Sequence, residues 1–233
     1  SSRGIAGGLD ADSYDWRDIN SGSPWGVRGG KFTTLQFLRE TRDRGSWPQL
    51  TANVVGGGSV ATGGPWGDYY IYDTSTPVSV PADMAADWVR YTNRILPTYR
   101  QGDTITNSED QRVLDSITGW AGRDTLLAPG EASTPKVEYW EIGNEPEVNV
   151  FGVFEQHYMN PTTYSQRYRA VSAAMLAQDP TIKVGPCIVY PGGSSNYLNQ
   201  LVNDGARIDF LGYHPYYNTL QNSWGSATGL ASA

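Results

Sequence analysis

The stretch Tyr139-Trp140-Glu141-Ile142-Gly143-Asn144-Glu145-Pro146 decides the fold of this 233-residue chain. Its first four residues form a mostly apolar run that predicts a strand, and Gly143 and Pro146 mark the end of that strand. Asn144 and Glu145 therefore stand together at a strand terminus. General acid–base catalysis uses a carboxyl group that is held in such a position next to other polar groups.

Strand and helix patterns alternate on both sides of this motif. Strands are predicted over residues 50–55, 137–142, 182–190 and 208–213. Helices are predicted over residues 31–44, 81–96, 109–118, 161–178 and 195–203. Residues 59–80 are expected to form a long polar and aromatic loop. Strands that alternate with helices predict an α/β protein with a parallel sheet.

Polar or glycine residues follow three of these strands, at residues 56–58, at Asn144-Glu145 and at His214. A (β/α)8 barrel builds its active site at the carboxyl ends of its strands, so this pattern favours a barrel. A doubly wound sheet is the competing fold. It is marked by a glycine-rich turn that leads directly into a helix, whereas residues 56–58 lead into a long loop.

The composition excludes several classes of partner. The net charge of −7 disfavours binding to phosphate backbones, so we expect no nucleic-acid partner. No apolar run approaches the ~20 residues of a membrane-spanning helix, and we expect no membrane partner. Neither histidine has the neighbours of a metal site, and no cofactor is expected. The size and the 39% hydrophobic content fit one domain.

Aromatic residues make up 12% of the chain, with 8 Trp and 15 Tyr. Such residues can fill a core, and their flat rings can also stack on sugar rings. Trp66, Tyr69 and Tyr70 lie in the predicted loop that follows the strand over residues 50–55. They either form a small core beneath that loop or bind a sugar.

The motif Trp140-Glu141-Ile142-Gly143-Asn144-Glu145-Pro146 resembles the fourth-strand signature of the clan A retaining (β/α)8 glycoside hydrolases. Within the clan it is most similar to that of α-L-arabinofuranosidases and β-xylosidases. Arg3-Gly4-Ile5-Ala6-Gly7-Gly8, with Tyr14-Asp15-Trp16-Arg17-Asp18 after it, is similar to their second-strand region. Asp209-Phe210-Leu211-Gly212-Tyr213-His214-Pro215-Tyr216-Tyr217 resembles their sixth strand.

The resemblance implies that residues 1–217 form a partial (β/α)8 barrel, from about strand 2 to strand 6, and that residues 218–233 are a Ser/Gly/Ala-rich loop or frayed end. Strands one, seven and eight would then lie outside this chain, together with the nucleophile Glu at the end of strand seven. We therefore expect a processed or truncated product, with a second polypeptide or C-terminal segment that completes the barrel. The implied enzyme is secreted and degrades plant or microbial polysaccharide.

The resemblance also assigns roles to single residues. Glu145 is the general acid/base of a double displacement, and Asn144 binds the sugar 2-hydroxyl or, alternatively, closes the turn. His214 and Tyr216 contact the sugar or the nucleophile, unless His214 is only a packed residue. Trp66 belongs to a sugar subsite or to the small core.

Arg3 is expected to pair with an inward-facing acid and so to orient the substrate site. Glu141 is the candidate for that acid, because strand alternation places Glu141, Gly143 and Glu145 on one face. Leu9 stands where arabinofuranosidases usually have an Asn that holds the furanose. β-Xylosidase, β-glucuronidase and endoglycanase activities therefore stay open, and so does a catalytically inactive carbohydrate-binding barrel or inactive fragment.

Overall fold

A computed structural model describes residues 2–3, 15–18, 32–56, 58–64, 67–72, 75–146, 159–188 and 195–213, and for 2–3, 58–64, 67–72, 195 and 213 it describes the backbone. The strands are β1 (Ser2–Arg3), β2 (Pro48–Ala52), β3 (Gly58–Gly64), β4 (Gly67–Tyr72), β5 (Tyr139–Ile142), β6 (Lys183–Ile188) and β7 (Gly212–Tyr213). The helices are α1 (Thr34–Asp43), α2 (Ser79–Arg90), α3 (Leu96–Thr98), α4 (Ser108–Asp115), α5 (Pro161–Gln178) and α6 (Ser195–Asn203), with a π-helical segment, Tyr91–Ile95, between α2 and α3.

The main sheet has five parallel strands in the order β1-β2-β5-β6-β7. The order of the strands in the sheet follows their order in the chain. A doubly wound sheet reverses its order at a switch point, whereas a barrel wall does not. The predicted α/β class with a parallel sheet is therefore confirmed, and the topology is consistent with part of a (β/α)8 barrel.

A two-stranded antiparallel hairpin, β3–β4, stands between β2 and α2. The prediction of a loop over residues 59–80 is wrong for these strands. Glycines at positions 58, 63, 64 and 67 suggested a loop, but the run from 69 to 72 is made of the aromatic and β-branched residues that favour strands. Pairing with a second strand decided the conformation there.

One face of the main sheet packs beneath the helices. Leu50, Trp140 and Val184 are cross-strand neighbours on that face, and all three are completely buried. The Trp140 ring meets Trp88 of α2 edge-on at 5.5 Å, and Trp88 stacks on Trp16 at 5.9 Å. These tryptophans therefore belong to the core. Buried rings there stabilise the fold through the apolar area that they bury and through the geometry of their ring contacts.

The opposite face is polar and partly open, and we call it the polar face. It carries Gln49 and Thr51 of β2, Tyr139 and Glu141 of β5, and Lys183 of β6. Thr51 and Glu141 are buried, whereas Tyr139 is 39% exposed. In a complete barrel the opposing strands cover this face.

Several element boundaries differ from prediction for identifiable reasons. The strand predicted over residues 50–55 ends at Ala52, because the Asn53 side chain accepts hydrogen bonds from the N–H groups of Val55 and Gly56. The strand predicted over residues 208–213 is confined to β7, since the backbone N–H and carboxylate of Asp209 bond to Val184 instead. The predictions for α5 and α6 are confirmed to the residue.

The helix predicted over residues 81–96 is present, but its α-helical hydrogen bonding is interrupted by the π-helical segment. Asn93 in that segment accepts a hydrogen bond from Val137 N–H and donates one to Val137 O, both at 3.0 Å. Its side chain thus pairs with the backbone just before β5. In the part of the chain described above, no helix has the length and apolar character needed to cross a membrane. The expected terminal segment, 218–233, lies outside the described residues.

Candidate functional site

The Gly143-Asn144-Glu145 turn is bonded to both neighbours of β5. Gly143 N–H donates to Ala52 O of β2 at 2.9 Å. Glu145 N–H donates to Cys187 O of β6 at 3.0 Å. The turn therefore lies at the carboxyl edge of the sheet and is fixed from two sides.

Glu145 has an unusual backbone conformation. Its φ angle is +52°, and among the described residues it is the one non-glycine with a positive φ. Left-handed backbone costs about 1 kcal/mol or more for a residue with a Cβ. Glu145 is also only 5% exposed. Proteins retain such backbone strain mainly at functional sites, and here it falls on a residue that carries a buried carboxyl group at a strand end.

Strand alternation does not extend into this turn. β5 ends at Ile142, and Gly143 has a φ angle of +76°. The expectation that Glu141 and Glu145 share a face requires an extended backbone from residue 141 to residue 145. The chain instead turns at Gly143. Glu145 is therefore oriented by the turn and not by the strand.

Asn144 is buried beside Glu145 and contacts β6. The Cys187 thiol donates a hydrogen bond to Asn144 Oδ1, with an S···O distance of 3.8 Å. A thiol is a weak donor, so this contact orients the amide more than it stabilises the fold. From the sequence, Cys187 could be recognised only as the single cysteine of the chain, and no local pattern connected it with Asn144 and Glu145.

Helix α5 supports the same turn from the other side of the sheet. The Tyr164 hydroxyl donates to Ile142 O, the last carbonyl of β5, at 2.7 Å. Met159 N–H donates to Pro146 O at 3.2 Å, and Tyr197 of α6 donates to Met159 O. The first of these hydrogen bonds satisfies the carbonyl at the end of β5, and the other two connect the chain after the turn to Met159 and α6.

Arg167 of α5 stabilises the chain that leaves β2 next to the motif. Its buried guanidinium donates to Val54 O at 3.2 Å, to Val55 O at 3.0 Å and to Thr76 O at 2.6 Å. One charged side chain thus joins the two ends of the segment that contains β3 and β4. Sequence reasoning missed Arg167, because it lies in the middle of a helix, far along the chain from its partners.

Glu141 lies deeper on the polar face. Its Oε2 accepts a hydrogen bond from the Thr51 hydroxyl at 3.0 Å. A Cβ atom on Gly212 would lie 2.5 Å from Glu141 Oε1, so the glycine leaves room for the carboxylate. The Glu141 carboxylate thus lies between Thr51 of β2 and Gly212 of β7 on the polar face.

Arg3 is placed by its backbone alone. It is the cross-strand neighbour of Gln49, which in turn is the neighbour of Tyr139. These positions lie two residues before the Thr51–Glu141 pair, on the same face of the sheet. Its guanidinium is outside the described atoms, so the pairing with an inward acid stays a prediction. His214, Tyr216 and Trp66 also lie outside the described residues.

In the described portion of the chain, no group of three His, Cys, Asp or Glu side chains could hold a metal ion. The arrangement that the structure does bring together is a buried carboxyl, a buried amide and a thiol at the edge shared by β2, β5 and β6. Chemically, a carboxyl group at such an edge can donate a proton to a bound molecule and later accept one.

No protein-family model matches the sequence, and no curated protein matches it. Solved structures do match. One is an α-L-arabinofuranosidase from Thermotoga maritima, solved as an arabinose complex, with a TM-score of 0.56 and 20% identity over 99% of this chain and 40% of that one. Another is AbfB, a family 51 α-L-arabinofuranosidase from Bifidobacterium longum, with a TM-score of 0.56, 16% identity, and coverages of 99% and 38%.

A third match is a family 44 xyloglucanase from Paenibacillus polymyxa, with a TM-score of 0.51 and 14% identity over 91% of this chain and 48% of that one. At these identities the likeness concerns the fold. The chain shares the fold of a section of these (β/α)8 glycoside hydrolases. It spans about two fifths of the length of the arabinofuranosidases that it matches.

Proposed function

We propose that this chain is part of a retaining glycoside hydrolase in which Glu145 is the general acid/base. The observation that carries the proposal is the buried, left-handed Glu145 at the carboxyl end of β5, bonded across to β6. That edge is where a (β/α)8 barrel places its catalytic groups. The fold shared with glycoside hydrolases supports the same conclusion.

In the proposed double displacement, Glu145 protonates the leaving oxygen while a second carboxylate attacks the anomeric carbon. Deprotonated Glu145 then removes a proton from the water that hydrolyses the glycosyl intermediate. Asn144 binds the sugar 2-hydroxyl, a contact that strengthens in the transition state. The thiol of Cys187 keeps the Asn144 amide in one orientation.

The second carboxylate is proposed to be a Glu outside residues 1–233, on polypeptide that completes the barrel. Retaining chemistry requires the two carboxyl groups about 5–5.5 Å apart. The partly open polar face supports this proposal, because Tyr139 there is 39% exposed and Leu211, next to β7, is 43% exposed. Added strands would cover these side chains.

The substrate is proposed to be a plant or microbial polysaccharide or oligosaccharide. Arg3, Trp66, His214 and Tyr216 are proposed to contact it, in addition to Asn144. Because Leu9 stands where arabinofuranosidases usually have an Asn, the proposal includes four activities: arabinofuranosidase, β-xylosidase, β-glucuronidase and endoglycanase. Secretion of the enzyme stays a prediction.

The test is Glu145→Gln in the full-length protein, assayed on aryl glycosides with good and poor leaving groups. Hydrolysis of substrates with poor leaving groups should fall by at least about 100-fold, since general acid catalysis contributes 10²–10⁴-fold. Azide should partly restore turnover of those with good leaving groups, because it needs no general base. Glu138→Gln, at the other end of β5, is the matched control and should keep the parent rate.

Wild-type rates in Glu145→Gln would contradict the assignment. Binding of oligosaccharides without any turnover in the parent protein would instead support the inactive carbohydrate-binding barrel. Intact-mass measurement and N-terminal sequencing of the purified protein test whether a second polypeptide is present.

A further inference from the structure

The end of β5 is held by a tyrosine from the helix layer. The Tyr164 hydroxyl of α5 donates a hydrogen bond to Ile142 O at 2.7 Å, and Tyr164 is completely buried. Ile142 lies three residues before Glu145. Because a buried carbonyl that loses its donor is left unsatisfied, this hydrogen bond fixes the place at which the turn begins.

The chain that follows the turn is held by a second tyrosine, through one intervening residue. Pro146 O accepts a hydrogen bond from Met159 N–H at 3.2 Å. Met159 O in turn accepts one from the Tyr197 hydroxyl of α6 at 2.7 Å. Since Pro146 directly follows Glu145, the turn is restrained at its far end as well.

The two tyrosines also pack against each other. Their ring centroids are 6.1 Å apart, and the ring planes are inclined by 59°. Both side chains are buried, so the rings contribute to the core while the hydroxyls reach backbone carbonyls. Each ring limits the movement of the other. We call Tyr164 and Tyr197 the tyrosine clamp.

Glu145 depends on such support because of its left-handed backbone. That conformation persists at a residue with a Cβ only where the surroundings impose it. The sheet supplies the hydrogen bonds of Gly143 and Glu145, and the tyrosine clamp restrains the residues on either side of them. A general acid must lie within hydrogen-bond reach of the atom that it protonates. A displacement of about 1 Å can lower a rate about 100-fold.

We propose that Tyr164 and Tyr197 are positioning residues for proton transfer by Glu145. They act through the backbone of the turn, and they keep the Glu145 carboxyl group within reach of the leaving oxygen. The inference rests on the proposed function, which gives Glu145 its role as general acid/base. It deepens that function by naming two helix side chains, far from Glu145 in the chain, on which the acid step depends.

The test compares Tyr164→Phe and Tyr197→Phe with Tyr168→Phe in the full-length protein. Each change removes one hydroxyl that donates to a backbone carbonyl. Tyr168 is the matched control, because it is completely buried on α5 and its ring lies 5.9 Å from that of Tyr164. Its hydroxyl donates to Arg207 O at 2.8 Å, in the segment before β7 and not at the turn.

The measurement is kcat/KM on aryl glycosides with good and poor leaving groups. Poor leaving groups need protonation in order to depart, whereas good ones do not. For poor leaving groups, both clamp variants should lower kcat/KM by about 3- to 10-fold, as for loss of one hydrogen bond. For good leaving groups, kcat/KM should stay unchanged. Tyr168→Phe should leave the ratio of the two rates as it is in the parent.

Two further measurements separate positioning from general loosening. In the Glu145→Gln background, neither clamp variant should lower kcat/KM further, because no carboxyl group remains to be positioned. Amide hydrogen exchange, followed by mass spectrometry, needs no activity. Exchange in the peptide that contains residues 143–145 should be at least about 3-fold faster in the clamp variants than in Tyr168→Phe, since their loss falls on the turn.

The inference is overturned if the clamp variants lower kcat/KM equally for good and poor leaving groups, if they match Tyr168→Phe in every assay, or if their losses are undiminished in the Glu145→Gln background. Failure of the proposed function gives a different result. In that case Glu145→Gln itself hydrolyses substrates with poor leaving groups at the parent rate, whatever the clamp variants do.

Discussion

The backbone N–H of Glu145 donates to the carbonyl oxygen of Cys187 at 3.0 Å, across the edge between β5 and β6. Gly143 makes the corresponding bond to Ala52 on the other side. A positive φ angle at a residue with a Cβ persists only where the surroundings impose it. These two hydrogen bonds impose it on Glu145, and they fix the carboxyl group relative to three strands at once.

Glu145→Gly should stabilise the protein and abolish its proposed activity. Glycine adopts left-handed backbone without the steric cost, so the free energy of unfolding should rise by about 1 kcal/mol. Urea denaturation measures this change. Glu138→Gly is the control and should destabilise, because it adds backbone freedom without relieving strain. Equal destabilisation by both variants would mean that Glu145 is not strained.

Cys187→Ala should impair the handling of the sugar 2-hydroxyl specifically. Without the thiol, the Asn144 amide loses its contact to β6. We expect kcat/KM to fall by about 3- to 10-fold on an ordinary aryl glycoside and to stay unchanged on the matching 2-deoxy substrate, as for loss of one weak hydrogen bond. Cys187→Ser, which keeps a donor, should retain more activity. Equal losses on both substrates would indicate a purely structural effect.

Gly185→Ala should destabilise the protein more than Gly212→Ala does. A Cβ atom at position 185 would lie 2.3 Å from the backbone oxygen of Phe210, whereas one at 212 would lie 2.5 Å from the end of the Glu141 side chain. Backbone yields less easily than a side chain, so we expect losses of about 3 kcal/mol and about 1 kcal/mol respectively. Urea denaturation of both variants measures the difference, and the reverse order would contradict the described packing.

Arg167→Met should loosen the base of the β3–β4 hairpin. It leaves the buried carbonyls of Val54 and Val55 and the half-buried carbonyl of Thr76 without their charged donor, at a cost of about 2 to 4 kcal/mol in unfolding free energy. Chymotrypsin should then cleave near the β4 tyrosines faster than in the parent. Arg169→Met, at an exposed position on the same helix, is the matched control and should change neither measurement.

The free energy of unfolding should fall in acid, partly because Glu131 becomes protonated. Hydrogen bonds from Arg39 in a two-point pair, together with those from Ala128 N–H and Arg42, outweigh burial and lower the pKa of Glu131 to about 2. Because this pKa is below its unfolded value, the carboxylate stabilises the fold above about pH 4.5, and the stabilisation is lost as the pH falls toward about 2.

Glu131→Gln should therefore cost about 1 to 2 kcal/mol near neutral pH and almost nothing near pH 2, as measured by urea denaturation over that range. The control is Glu40→Gln, whose pair with Arg44 is 53% and 73% exposed and should contribute little at any pH. A loss for Glu131→Gln that does not depend on pH would contradict the role of its charge.

Local patterns in the sequence predicted much of the fold. Asn160 and Pro161 marked the start of α5, and the Asn160 side chain does accept a hydrogen bond from Thr163 N–H. The apolar run before Gly143 predicted β5. These signals come from residues that are close together in the chain, which is why they can be recognised from the sequence alone.

The site could be predicted only in part. The sequence indicated Asn144 and Glu145, and it placed them correctly at the end of a strand. It did not indicate Cys187 or Arg167, because their partners are distant in the chain: Cys187 contacts an amide 43 residues away, and Arg167 contacts carbonyls more than 90 residues away. The hairpin was mistaken for a loop for a similar reason, since strand pairing outweighed its glycines.

The sequence by itself thus determined most of the helices, the approximate place of the later strands of the main sheet, their parallel α/β order, and the carboxyl group proposed for chemistry. Only the tertiary structure decided the backbone conformation of Glu145 and the atoms that hold it. Side-chain periodicity and capping are properties of neighbouring residues, whereas the left-handed turn exists because β2 and β6 bind it from both sides. The geometry of the proposed catalytic residue is therefore a property of the assembled sheet.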